Sequence, residues 1–125
     1  MLKRALREIF RRRKLWKICR VLKLSPYPWQ RAFALGYGTS ADFPEGRCTG
    51  KTTAVMLRLL MMTKKEESEK WFVGKILSAD PDWWPRDRHR TDWYHSHYNR
   101  LCRLCYQNDI YVPYLCKADF VRINF

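Results

Sequence analysis

Three stretches of this 125-residue chain carry side chains whose types and spacing suit chemistry. In the first, Gly46-Arg47-Cys48-Thr49-Gly50-Lys51-Thr52-Thr53 runs directly into an apolar segment, Ala54 to Met62. Glycines, a lysine and a threonine at the start of a helix suit a phosphate. Backbone N–H groups and the helix N-terminus can cradle the anion, with the Lys51 cation and the Thr52 hydroxyl beside it. Gly46, Gly50, Lys51 and Thr52 are the candidates. In the second stretch, Trp83 and Trp84 lie between Pro81 and Pro85, just before Arg86, Arg88, His89 and Arg90. Indoles on a loop can stack on unpaired bases while Arg86, Arg88 and Arg90 hold neighbouring phosphates. Indoles that fold back over the core are the competing reading. We expect one ring packed inward and the other at the surface. In the third, His95, His97, Cys102 and Cys105 are all metal-ligating types. From one continuous helix they cannot close a tetrahedron, so they read as helix-face residues, the thiols buried, and neither metal nor cofactor is expected.

No Ser-His-Asp set, paired-carboxylate site or dehydrogenase fingerprint is visible, so an enzyme is not expected. The charge points instead to binding. Lys and Arg number 25 against 12 Asp and Glu, for a net charge of +13. Residues 1–24 hold ten of the cations and one acid, Glu8, so this short segment contributes +9. A concentrated positive arm attracts polyanions and raises association rates before any specificity is added. Its candidate contacts are Arg4, Arg7, Arg11, Arg12, Arg13, Lys14, Lys17 and Arg20, with Lys51 beyond it. A solvated face on a core-packing helix and a membrane-surface or targeting helix are the other readings of the arm.

The arm is predicted to be helical. Leu2, Ala5, Leu6 and Ile9 share one spacing, and Leu15, Ile18, Cys19 and Leu22 repeat it out of phase. The change of phase at Arg11 to Lys14 predicts a bend or two short helices, and Leu24-Ser25-Pro26 a stop. Pro28 opens a short helix with Trp29, Ala32 and Phe33 on one face, closed by Gly36 and Gly38. Residues 37–48 read as loop, 64–70 as a charged turn or helix face, and 71–77 as strand or helix. Residues 92–106 predict a helix with Tyr94, His97, Leu101 and Cys105 inward. The β-branched and aromatic C-terminus predicts one or two strands, with Phe120 to Phe125 able to pair with Tyr111 to Leu115 and Pro113 at an edge. The expected fold class is therefore α+β, mostly helical, with a basic helical arm over residues 1–24. Residues 25–125 form one compact domain ending in a small β-hairpin or strand pair.

The Gly-Lys-Thr ending before a helix resembles the P-loop of nucleotide-hydrolysing enzymes. With Tyr27-Pro28-Trp29-Gln30 shortly upstream, residues 26–62 resemble the start of a phage terminase or helicase-type motor. Three departures accompany the resemblance, and the first is at the glycines: Glu45 stands where the first glycine of that pattern falls, and Gly46 leaves only three residues before Gly50. No apolar strand precedes the loop, and Ile76 to Asp80 is a weak candidate for the strand that should follow. A complete motor does not fit in this length. Active hydrolysis, a phosphate contact and a plain loop remain the alternatives for this segment. The resulting expectation is a small phage- or prophage-type protein that grips nucleic acid, DNA or RNA, through its basic arm. A protein-binding inhibitor of a host nuclease complex is the alternative, and a nucleotide-binding motor fragment a third. Five cysteines and no secretory signal suggest the host cytosol, and no stretch suits a membrane span.

Overall fold

In a computed structural model of the chain, residues 2–45, 50–69, 71–81, 83 and 88–121 are described, except for the side chains of Arg88 and Val121. They form helices α1 (Leu2–Val21), α2 (Pro28–Ala34), α3 (Lys51–Leu60), α4 (Lys64–Ser68), α5 (Trp71–Leu77), α6 (Arg88–Gln107) and α7 (Lys117–Val121), with a 3₁₀ turn at Ser40–Asp42. Among the described residues there is no strand, so the expected α+β class is corrected to all-helical.

Helix α3 lies at the centre. From Ala54 to Leu60 every residue is buried, and Met61 and Met62 continue the apolar run. A helix apolar all round needs cover on all sides. Helices α2 and α5 pack against it, α7 joins α5 to α6, and the second half of α1 lies on α6. Leu15, Ile18 and Cys19 of the arm belong to the same buried cluster.

Helix α1 is continuous through Arg11 to Lys14, so the expected bend is absent. Its two apolar stripes point roughly 140° apart at 3.6 residues per turn. The helix keeps its axis and changes the face that is apolar. Leu15 and Ile18 enter the core, while Leu2, Leu6, Ile9 and Phe10 are exposed. The helix ends where Lys23 takes a left-handed φ of 58° and the Leu24 N–H reaches the Cys19 carbonyl at 2.8 Å.

The expected C-terminal strands give way to an extended segment whose carbonyls are taken by side chains. Tyr98 donates to the Pro113 carbonyl at 2.7 Å, and Tyr106 donates to the Val112 carbonyl. Ile110, Val112 and Leu115 are buried against the helices. Pro113 brings no N–H, and with these carbonyls satisfied from α6 the segment does not need a ladder partner. The Asp119 carboxylate then accepts the Cys116 N–H at 2.9 Å and starts a helix where the second strand was expected. Residues 122–125, the rest of that strand, lie outside the described residues. The ambiguous segment 71–77 is helical. The inward stripe of α6 is Thr91, Tyr94, Tyr98, Cys102 and Cys105, with His97 and Leu101 only half-buried.

One charge enters the buried stretch of α3. Arg58 is buried and meets the Glu66 carboxylate through two guanidinium nitrogens, with its Cζ 5.6 Å from the Phe72 ring. Glu66 also accepts the Thr63 N–H at 3.0 Å, while the Thr63 hydroxyl accepts the Glu66 N–H at 3.2 Å. This capping box begins α4 and aims the carboxylate at Arg58. Burial alone pushes the Glu66 carboxyl up, but the hydrogen bonds from Arg58 and Thr63 outweigh it and leave the group below its ordinary value of 4.5. The contribution of Glu66 to stability is therefore present above pH 4.5 and fades as pH falls through the lowered value. Glu66→Gln strands the Arg58 cation and should cost about 3 kcal/mol in urea unfolding at neutral pH. The variant's stability should change less than the wild type's across the acid window. Parallel stability curves for the two proteins would refute this account.

Candidate nucleic-acid interface

The cations of α1 divide by surroundings. Arg4, Arg7 and Arg13 are exposed, and Arg11 is half-buried. Arg12 is held by Glu8 across one helical turn, its Nε 2.8 Å from the carboxylate. The Tyr37 hydroxyl donates to the other Glu8 oxygen. This hydrogen bond, followed by that of Arg12 and the charges of Arg12 and Arg11, lowers the Glu8 carboxyl and keeps it charged. Glu8 is the arm's one acid, and it is already occupied from both sides.

The second half of α1 forms one wall of an open groove whose other wall is the turn after α6, Asn108 to Tyr111. Arg13, Lys14, Lys17 and Arg20 line it, together with Phe10, Trp16 and Tyr111. The left-handed φ of 59° at Asp109 produces the turn, and the Ile110 N–H returns to the Cys105 carbonyl at 2.9 Å. Phe10 is 61% exposed, Trp16 59% and Tyr111 49%. The Arg20 Cζ lies 5.2 Å from the Trp16 ring centroid. Lys14 lies 5.5 Å and Lys64 4.6 Å from the Tyr111 ring, whose hydroxyl donates to Glu67 at 2.9 Å. Burial pushes the Lys14 ammonium below its usual value, and Arg11 and Lys64 push the same way. Among the described residues that line the groove, Asp109 is the single acid. Such a surface can hold phosphates with its cations and cover flat, electron-rich groups with its rings.

The remaining expected site residues lie elsewhere. Trp83 is only 5% exposed, and its Nε1–H donates to the Phe120 carbonyl at 3.3 Å. Its indole belongs to the core and presents no face to a base. Trp84 and Arg86 lie outside the described residues, as does the side chain of Arg88. Arg90 is exposed and lines a second hollow with Thr52, His89, Trp93 and Tyr94.

Gly46 of the P-loop-like segment also lies outside the described residues. Gly50 precedes α3 with φ +88°, and a Cβ there would come within 2.4 Å of Gln30 Nε2. That amide nitrogen donates to the Gly50 carbonyl at 2.9 Å, and its oxygen accepts the Tyr27 N–H at 2.7 Å. The two parts of the motor-like stretch are thus in direct contact. Lys51 is the first residue of α3 and half-buried. The Thr52 hydroxyl donates to Asp80 Oδ2 at 2.6 Å, and Tyr94 donates to the same oxygen. Among the described residues no strand precedes α3, and Ile76 to Asp80 is helix and turn. This hydroxyl ties α3 to α6 through a buried carboxylate.

His97 stacks on Trp93 with centroids 5.0 Å apart and its Nδ1 2.7 Å from an Arg100 nitrogen. Burial, then the Arg100 charge, pushes its pKa down. Cys102 is buried, and burial raises its thiol to about 11. Among the described residues, no three His, Cys, Asp or Glu side chains gather as a metal set. No helix among them is long and apolar enough to cross a membrane.

Sequence reasoning missed Phe10, Trp16 and Tyr111. A signal existed for Trp16, which falls outside the Leu15-Ile18-Cys19-Leu22 stripe and is flanked by cations. No family model, curated protein or solved structure matches this chain.

The placement of Trp83 is directly testable. Trp83→Ala should lower stability by about 3–5 kcal/mol in denaturant unfolding. The milder Trp83→Phe should keep the protein folded with unchanged affinity for nucleic acid. A Trp83→Ala protein that keeps full stability but loses affinity would return this indole to the binding surface.

Proposed function

We propose that this protein binds nucleic acid through its phosphate backbone, with the groove between α1 and the Asn108–Tyr111 turn as the seat. The observation that carries this reading is the gathering of four cations and three exposed rings in one groove against a single acid. The net charge of +13, concentrated on α1, supports it by supplying a long-range attraction for polyanions. Exposed Arg4 and Arg7 extend the positive surface along the helix beyond the groove. This is a binding role rather than a catalytic one, and the resemblance of residues 26–62 to a P-loop motor contributes no step to it.

A second reading, docking on an acidic protein surface such as that of a nuclease, draws support from the exposed Leu2, Leu6 and Ile9. Partners captured from a nuclease-treated lysate by the full chain, and absent with Leu6→Asp, would favour it.

The test of the first reading is salt-titrated binding of the full chain and of the combined variant Arg13→Gln, Lys17→Gln, Arg20→Gln. Each phosphate that the protein no longer neutralises lowers the slope of log affinity against log salt by about 0.7–0.9. The combined variant should lower it by roughly 2–3. These side chains are exposed, so the melting temperature should hold. An unchanged slope would remove the groove from the nucleic-acid footprint.

A further inference from the structure

The walls of the groove also bear on which form of nucleic acid it takes. A duplex turns its phosphates outward and keeps its base faces stacked inside, so a protein ring at its surface has no base face to cover. An unpaired strand offers both, and stacking on aromatic side chains is the usual way such strands are held. Phe10 and Trp16 are more than half exposed and lie among Arg13, Lys17 and Arg20. The Arg20 guanidinium lies 5.2 Å from the Trp16 centroid, so cation and ring stand side by side in the groove.

The composition of α1 argues the same way. Reading base edges in a duplex groove draws on Asn, Gln, Ser and Thr as well as Arg. Helix α1 contains none of those four, and its side chains are cationic or apolar apart from Glu8. Cations and rings suffice for a strand held by its phosphates and base faces.

We propose that the groove takes single-stranded nucleic acid, with Trp16 and Phe10 stacking on unpaired bases while Arg13, Lys17 and Arg20 hold the flanking phosphates. The proposal rests on the nucleic-acid reading above and narrows it. Binding is sequence-tolerant, because every base has a face to stack.

The experiment measures affinity of the full chain for a mixed-sequence DNA strand, the matching RNA strand and a DNA duplex of equal length. It does so at fixed salt, for the wild type, Trp16→Ala and Trp16→Phe. The wild type should prefer the single strands, and the DNA and RNA arms rank the two sugars. Trp16→Ala should weaken single-strand binding about tenfold while leaving duplex binding and the salt slope unchanged. Trp16→Phe should recover most of that affinity, and both variants should melt with the wild type. Duplex bound as tightly as single strands, or a Trp16→Ala weakening shared equally between them, would overturn the stacking proposal and leave the phosphate reading standing. An absence of salt-dependent binding to all three probes would overturn both.

Discussion

Helix α3 has no face that tolerates water, and the placement of the other helices follows from that constraint. Val55, Met56 and Leu57 point in three different directions around the helix, yet all are fully buried. Burying a Leu or Val side chain is worth about 1.5–3 kcal/mol, so leaving any side of α3 open would forfeit several such contributions. Helices α2 and α5 meet it directly, and the Arg58–Glu66 pair neutralises the one charge in its buried stretch, Ala54 to Leu60. Because Arg58 cannot return to water without carrying the helix with it, the capping box at Thr63 and Glu66 must form in register. A short polar helix, exposed or half-exposed throughout, therefore matters to the interior.

The same economy of acids shapes the surface. Glu8 is shared between Arg12 and Tyr37, Glu67 takes the Tyr111 hydroxyl, and Asp92 takes Lys117 at 2.7 Å. With acids engaged in this way, Arg13, Lys17 and Arg20 sit on α1 with a tryptophan ring among them and Asp109 as the groove's lone acid. Repulsion along this row weakens the folded chain slightly, and a bound polyanion would relieve it.

Parts of this arrangement were legible in the amino acids. Pro28 at the first position of α2 and Gly36 with a φ of 89° past its end were both visible as punctuation. The helical character of α1 and α6 followed from their periodicity. The C-terminus misled because Val112 and Tyr114 have strand-like side chains, whereas what decides the backbone there is the hydroxyls of Tyr98 and Tyr106, donated from α6. No local pattern encodes those long-range bonds. The bend or pair of short helices expected in α1 followed from the change of phase between its two apolar stripes, but only the second stripe meets the core and the helix stays continuous. For the Trp83–Trp84 pair the flanking prolines favoured display and the size of the indoles favoured burial; at Trp83 burial prevails, and the Phe120 carbonyl takes its N–H. The cations of the arm were legible one by one. The rings that share the groove with them were not, since Tyr111 arrives from the far end of the chain.

The rotation of apolar character along α1 also divides the helix energetically. From Leu15 onward, opening a turn uncovers core, so those amides are protected to nearly the full stability of the domain. Before that point the side chains pack on little beyond Tyr37 and the groove wall, so the first turns are held mainly by their own backbone bonds. A helix this short is marginal without packing. One continuous rod should thus exchange its amides rapidly at the first turns and slowly from Leu15 onward. The step between them falls near Lys14, beside the charges that a ligand would contact, so occupancy of the groove would be registered as ordering that spreads toward the N-terminus.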